Sequence, residues 1–492
     1  MIYSYIKVKL YNTFTKKIEE VKTAENDHLK IYVCGPTVYD RAHLGNARSV
    51  VVYDLLYRLF VKIFKKVTYV RNITDVDDKI NNSAKEQKIS IQQLTKKYTE
   101  FFHNDMKALN VLDPTHQPKA TEHINDMIVI IEKLIKKNHA YVSENHVLFD
   151  VNSFKEYGKL SNRTLDEMIA GARVEVAKYK KNPLDFVLWK PADQEDDPSS
   201  MFDSPWGVGR PGWHIECSAM SSKYLGNNFD IHGGGSDLQF PHHENEIAQS
   251  KCAHENSYYA KYWIHNGFLT VDKEKMSKSL KNFITVKDLL DKNINGVVIR
   301  FLLLSSHYRK PLDFNKKILD DSKKTIEKFY EVIDTEDLKL IDNSVPEIVV
   351  SHLADDLNIS KVNAYLHELV KKIKNSNDLN LKKDFLNTLD FIGLIDEKLI
   401  KEKQKNNPHV STYKTEISAK QNENYTAFSY SQEVKDKNNI EIDQNYINSQ
   451  IELRLKYKKE KNFQKADEIR EDLLQKGIIL EDISGQKTIW KK

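Results

Sequence analysis

Cysteine is nearly missing from this sequence: 492 residues hold three, Cys34, Cys217 and Cys252. So sparse and odd a set excludes a disulfide framework and fits a reducing compartment, leaving each thiol to be explained singly. No run approaches the roughly 18 apolar residues of a membrane helix. The opening, Met1 to Lys9, alternates like a strand and lacks the apolar core and small-residue cleavage site of a signal peptide. A cytoplasmic protein with no membrane partner is expected. Charge of one sign is lacking too, since 75 Lys+Arg stand against 71 Asp+Glu, a net +4. A field this weak does not announce a nucleic-acid binder, so an RNA partner would have to be met by local patches.

What is present is a chain long enough for about three domains, 40% apolar and 30% charged. Lys30 to Cys34 reads as a short strand stopped by Gly35-Pro36. A loop follows to Asn46. Val52, Leu55, Leu56, Leu59 and Ile63 then fall at helical spacing, and Lys66 to Val70 is the next strand. Two strands around a helix form a βαβ unit, whose first loop is a ligand-binding position. Residues 90–137 read as helical and 140–200 as mixed, ending in the acidic stretch Pro191 to Pro198. Glycine, tryptophan, histidine and cysteine are densest over 205–250. From about 318 the pattern becomes amphipathic helices, one marked by Leu319, Ile326, Phe329, Tyr330 and Ile333, another by Leu353, Leu357, Val362, Leu366, Leu369 and Ile373. Between 402 and 443 too few apolar groups remain to offset chain entropy, and a flexible linker is expected. A helical run resumes near 447 and ends at Gly477, followed by a strand at 478–480.

Two elements suit phosphate chemistry. His43-Leu-Gly-Asn46 lies at a strand-to-helix turn, where glycine admits close approach and a helix N-terminus attracts anions. Some 230 residues later, Lys275-Met-Ser-Lys-Ser279 offers two cations and two hydroxyls in a polar loop, suited to charge developing on pyrophosphate.

With these two signatures the chain resembles the class I aminoacyl-tRNA synthetases, and most closely their cysteinyl family. Tyr32 to Asp40, Arg71 to Lys79, Gly209 to Met220, Phe229 to Asp237 and Phe240 to Ser250 carry that resemblance. It runs through most of 1–320, is looser in the helices and returns at 447–490. The expected fold is α/β: a Rossmann-like parallel-sheet catalytic domain with an insertion, then an α-helical anticodon-binding bundle and a small C-terminal domain. The implied boundaries are 1–124 and 208–258 for the catalytic domain, 125–207 for the insertion and 259–318 for a stem-contact region holding the second signature. The bundle follows at 319–400, a polar linker at 401–446 and a tRNA-binding domain at 447–492.

The resemblance implies ligation of L-cysteine to its tRNA through a cysteinyl-adenylate. Catalysis falls to His43, Asn46, Lys275 and Lys278, with Pro36, Thr37, His43, Gly45, Asn46 and Lys278 around ATP. Of the two lysines, Lys278 is the one expected to touch ATP directly, and Mg²⁺ would be held mainly by phosphate oxygens and water. The first signature usually ends in histidine; Asn46 can still donate a hydrogen bond but cannot become charged. Gly35, Thr74, Trp213 and His232 would line the amino-acid pocket.

Cys34, Cys217, His242 and Glu246 have zinc-ligand chemistry. His242 and Glu246, four apart, share a face if that segment is helical. His243 competes with His242, and the resemblance puts zinc on the quartet with His242. Zinc would separate cysteine from serine, a thiolate being a softer ligand than a hydroxyl. No room for an editing domain is seen. Tyr457, Phe463 and Trp490, amid basic residues, could stack on unpaired bases. Cys252 has no assigned role, and a monomer is expected. Two alternatives stay open: a cysteine ligase acting on a small amine, and a non-catalytic RNA-binding paralogue.

Overall fold

The computed structural model describes residues 3–164, 167–168, 177–193, 196–276, 280, 282–376, 378–406, 444–459, 462–475, 479–483 and 487–491. Two compact units divide the chain, Met1–Ser411 and Thr412–Lys492.

At the centre of the first unit is a four-stranded parallel sheet. Its strands are β1 (His28–Val33), β2 (Lys66–Arg71), β3 (Asn228–Gly235) and β4 (Tyr259–Asn266), in spatial order β4-β3-β1-β2. Ile31 pairs with both Tyr69 and Ile231, which fixes the register across the middle. Chain order runs outward from β1 to β2 on one side and through β3 to β4 on the other. The carboxyl ends of β1 and β3 therefore meet at a switch point, where an open α/β sheet leaves a crevice. The expected boundary at 258 needs correction. β4 pairs in parallel with β3 and carries this sheet to Asn266; that partner lies some 30 residues earlier, beyond the reach of local pattern.

Helix α1 (Leu44–Ile63) follows β1. It starts inside the stretch to Asn46 read as loop, because His43 caps it. It is buried on almost every side, and Tyr53 shows why that helps. Its hydroxyl donates to the Ile264 carbonyl (2.6 Å), with the Gly234 carbonyl 3.0 Å away, and accepts from the Gly234 amide (2.7 Å), tying the ends of β3 and β4 together. A Cβ at Gly233 would lie 2.4 Å from the Tyr53 ring, so the phenol and the glycine need each other.

Helices α2 (Trp213–Leu225) and α3 (His242–Ala253) flank β3 in sequence. The segment read as helical over 90–137 is two helices, Ile91–Ala108 and Ile124–Lys136, separated by a stretch holding Pro114 and Pro118. Proline lacks the amide a continuous helix needs. The insertion builds an antiparallel sheet whose last strand, Gly209–Pro211, pairs with Phe186–Pro191, so that sheet passes the expected edge at 207. Helices Lys316–Tyr330, Glu347–Ala354, Ile359–Asn375 and Leu379–Phe391 follow. Their apolar stripes, Ile326, Phe329, Val362, Leu366 and Leu369 among them, are buried. A further helix, Glu397–Asn406, occupies the start of the expected linker, and Gln444–Lys459 its end; residues 407–443 lie outside those described.

The second unit pairs helices Gln444–Lys459 and Phe463–Gln475, followed by an antiparallel hairpin of Ile479–Ile483 and Lys487–Lys491. The single helical run expected there is thus two helices, and its strand has a partner. Among the described residues no helix is long and apolar enough to cross a membrane.

Candidate functional site

The site lies at the switch point. Cys34 directly follows β1, and its amide donates to the Gly233 carbonyl of β3 at 3.2 Å. Cys217 sits one turn into α2, while His242 and Glu246 occupy the first turns of α3. Because that segment is helical, the two share a face, with His242 Nε2 3.1 Å from Glu246 Oε1. Cys34 Sγ lies 3.7 Å from Cys217 Sγ and 3.6 Å from Glu246 Oε1. The four donor atoms all fall within 4.8 Å of one another, close enough for one ion.

A second set, Cys34, His232, His243 and Glu246, meets the same distance test. His243, the competitor named from sequence, is thus present in space as well: its Nε2 is 3.4 Å from Cys34 Sγ. The hydrogen bonds separate the sets. Glu246 Oε2 is occupied by His232 Nε2 and by the Tyr259 hydroxyl, both at 2.8 Å, leaving Oε1 toward the cysteines. His243 hands its Nδ1 to His265 Nε2 at 2.8 Å, and His265 reaches Thr13 Oγ1 at 2.9 Å. His242 has a similar neighbour, with His214 Nδ1 2.9 Å from its own Nδ1. Metal ligands are commonly oriented by such outer partners.

The histidines differ in how burial and their neighbours set their charge. Burial pushes the Cys34 thiol well up, and because that thiol donates to Cys217, the Cys217 sulfur is pushed down to about 6. Burial opposes charge on His242, yet Glu246 and Cys217 together raise it above the usual imidazole value. Burial holds His214, His243 and His265 down as neutral rings. Cys252, also buried, is pushed up to about 12 and is a poor nucleophile.

Around this cluster stand the expected pocket residues. Gly35 tolerates no side chain, because a Cβ would fall 1.6 Å from the Asn72 carbonyl oxygen. Its amide donates to Asn72 Oδ1 at 2.8 Å. The Thr74 amide donates to the Pro36 carbonyl at 3.0 Å, and Thr37 pairs with Thr74, so 35–38 and 72–75 run side by side beyond the strands. His232 is fully buried and bonded to Glu246. Trp213 remains 39% exposed, its ring 4.1 Å from that of His242, so it is a wall of the crevice rather than core.

The two signatures meet. His43 Nδ1 accepts from the Asn46 amide (3.2 Å), while Asn46 Oδ1 accepts from the His43 amide (3.3 Å), a reciprocal cap. Since Nδ1 accepts, the proton of the neutral ring is on Nε2, which is left as a donor. Burial lowers the His43 pKa and so favours that neutral form, against the pull of Asp237. Gly45 lets the loop fold this tightly, as a Cβ would lie 2.8 Å from the His43 ring and 3.3 Å from Met276 Cε of the second signature. The Leu44 amide donates to the Ile284 carbonyl at 2.9 Å, and the His43 ring stands edge-on to Phe283. Lys275 is exposed at the start of that loop, and Lys278 lies outside the described residues.

Comparison with known proteins decides the family. Residues 20–324 match the family described as tRNA synthetases class I (C) catalytic domain. A cysteine–tRNA ligase of Rickettsia bellii (strain OSU 85-389) is 50% identical over 493 residues, 99% of this chain and 100% of its own. One from Rickettsia prowazekii (strain Madrid E) is 51% identical over 489 residues, again 99% and 100%. The chain belongs to the cysteine–tRNA ligase family. A solved Mycobacterium tuberculosis methionyl-tRNA synthetase bound by methionyl-adenylate is 12% identical, with a TM-score of 0.51 over 74% of this chain and 88% of that one, a likeness of fold alone.

Sequence reasoning did not single out Asn72, His214, Glu216, Tyr259 or His265. The density of histidine and glycine between 205 and 250 was the available signal, but it says nothing of which ring meets which.

Proposed function

We propose that this enzyme activates L-cysteine with ATP and transfers it to the tRNA for cysteine. The cysteine carboxylate attacks the α-phosphate, giving cysteinyl-adenylate and pyrophosphate, and the terminal ribose hydroxyl of tRNA then takes the aminoacyl group. No side chain need act as nucleophile, so placement and charge stabilisation carry the rate. His43 Nε2 and the Asn46 amide nitrogen would donate to the phosphates from the N-terminus of α1. Pro36, Thr37 and Gly45 shape the floor, and Lys275 and Lys278 would close from the other side.

Cys34, Cys217, His242 and Glu246 would hold a zinc ion. Two sulfurs, one imidazole and one carboxylate are ordinary zinc ligands, and this set has one thiolate more than its rival. Zinc bound there supplies selection, since a substrate thiolate is a much better ligand than the hydroxyl of serine. Gly35, Thr74, Trp213 and His232 would complete the pocket.

The convergence of this thiol-bearing cluster with both signatures on one crevice supports the reading above all else. The small-amine ligase would not need the helices and second unit that follow residue 316, and the non-catalytic reading fits poorly with four intact donors. The test is ATP–pyrophosphate exchange with cysteine or serine, before and after zinc removal, with tRNA charging alongside. Exchange that needs cysteine and zinc, followed by charging, is expected. Exchange without charging would indicate the small-amine ligase, and no exchange by folded, zinc-loaded protein would remove the enzyme reading.

A further inference from the structure

Glu216 lies next to Cys217 on α2 and is buried to 1% exposure. Its Oε2 accepts the hydroxyl of Thr74 at 2.8 Å, across 142 residues of sequence. The same hydroxyl oxygen accepts from Asn72 Nδ2 at 3.1 Å, and Asn72 is fixed in turn by the Gly35 amide on its Oδ1. Glu216 Oε1, also buried, has no hydrogen-bond partner among the described residues. Burying a carboxyl with one oxygen unsatisfied is costly, and a residue kept only for packing would not require it.

A threonine hydroxyl has one hydrogen and two lone pairs. Here Glu216 takes the hydrogen and Asn72 one lone pair. What Thr74 has left is a single lone pair, which makes it an acceptor and nothing else. Under the proposed function, the substrate thiol goes to the cysteine cluster and the carboxylate toward ATP. The remaining polar substituent, the α-ammonium, carries only donors.

We propose that Glu216, assisted by Asn72, is a positioning residue: it claims the Thr74 hydrogen so that this hydroxyl receives the substrate α-ammonium. The inference rests on the reading of the crevice as a cysteine pocket. It adds a second selectivity to that of the metal, for a thiol that bears an amine. With the hydrogen free, Thr74 could turn it toward the ammonium and lose the contact, or toward a carboxylate and favour the wrong orientation.

The test titrates the zinc-loaded full-length protein by calorimetry with L-cysteine and with 3-mercaptopropionate, which keeps the thiol and carboxylate but lacks the amine. Zinc content is measured on every variant. The wild type should prefer cysteine by about tenfold to a hundredfold, the worth of a hydrogen bond to a charged group. Glu216→Leu and Thr74→Val should erase most of that preference while binding 3-mercaptopropionate as before. Glu216→Gln, whose amide oxygen still accepts from Thr74, should keep it, and this variant together with Thr74→Val serves if Glu216→Leu does not fold. Parallel weakening of both thiols in Glu216→Leu, or preference intact in Thr74→Val, would overturn the inference and leave the pocket reading standing. Wild-type protein that binds neither thiol would overturn both.

Discussion

Two groups of charged and polar side chains are buried in the first unit, and they are built on opposite principles. Around Asp54, every group is answered. Asp54 Oδ1 accepts from the Leu112 amide at 2.7 Å, and its Oδ2 takes both Arg58 and Arg300. Arg300 also donates to the carbonyls of Ile392 (2.7 Å) and Leu109 (3.0 Å), and Asn110 Nδ2 donates to those of Gly393 and Ile395. α1, the loop after residue 108 and the end of the helix Leu379–Phe391 are thereby locked together. At the switch point, by contrast, Glu216 Oε1 and His232 Nδ1 are buried without partners among the described residues, and two sulfurs crowd a carboxylate. A satisfied network specifies a joint; an unsatisfied one leaves polar atoms open to a further partner.

The largest effect should come from the unsatisfied group. Cys217→Ser ought to remove zinc and depress cysteine-dependent pyrophosphate exchange by more than a hundredfold, since even outer partners of a metal ligand cost about 10–100-fold. Thermal unfolding of the metal-free variant should stay close to that of metal-free wild type, because a serine hydroxyl can still accept from the Cys34 thiol. Zinc retained at the wild-type level by Cys217→Ser would shift the site to the set containing His232 and His243.

Arg300→Ala tests the other pole. It leaves Asp54 buried beside a lone Arg58 and should cost about 3–5 kcal/mol in urea unfolding. Replacing both partners, Asp54→Leu with Arg300→Met, should recover much of that loss, since apolar replacement of a buried pair is often nearly neutral. If Arg300→Ala costs less than about 1 kcal/mol, the joint is not held by this pair and the contrast fails.

Asp105 stands between the extremes. One of its oxygens meets Arg41 at a long 3.4 Å and the other has no partner among the described residues. Burial raises its pKa to about 6, against the pull of Arg41 and Lys287 and with a push from Asp288. A carboxyl whose folded value exceeds its unfolded one, about 3.9, favours the fold in its neutral form. That contribution is whole below about pH 4 and lost as pH rises through 6. Asp105→Asn should therefore flatten the decline of urea midpoint between pH 4 and 6, and an unchanged slope would place the effect elsewhere.

How much of this was legible beforehand follows the range of the interactions. β1, α1 and β2 were readable because period and punctuation are local: Gly35-Pro36 ends a strand, and apolar spacing marks a helix. Both signatures and the four donors were visible as residue types suited to phosphate and metal. The fourth sheet strand was assigned to the next region, since its pairing with β3 leaves no local trace. Thr74 and Glu216 both sat in stretches with a recognised resemblance, yet their hydrogen bond joins positions 142 apart. Arg300 did leave a signal, a lone charge in the apolar helix Gly296–Leu303, but nothing nearby named Asp54 as its partner.

The smallest effect concerns Asn46, where the first signature departs from its usual histidine. In the structure its Oδ1 is committed to the His43 amide, so the side chain caps the helix with oxygen and has its amide nitrogen left for phosphate. Capping and donation are thus divided between two atoms, which an imidazole could do only with its two ring nitrogens in the right tautomer. Asn46→Ala removes both and, losing one hydrogen bond, should cost about 1 kcal/mol of stability, with a rise in KM for ATP. Asn46→Asp keeps the cap, because its oxygen still accepts, but replaces the donor with negative charge beside the triphosphate. Its stability should match wild type while its KM for ATP rises beyond that of Asn46→Ala. Equal ATP constants for the two variants would mean that Asn46 serves only as a cap, and that the phosphate contact belongs to His43 alone.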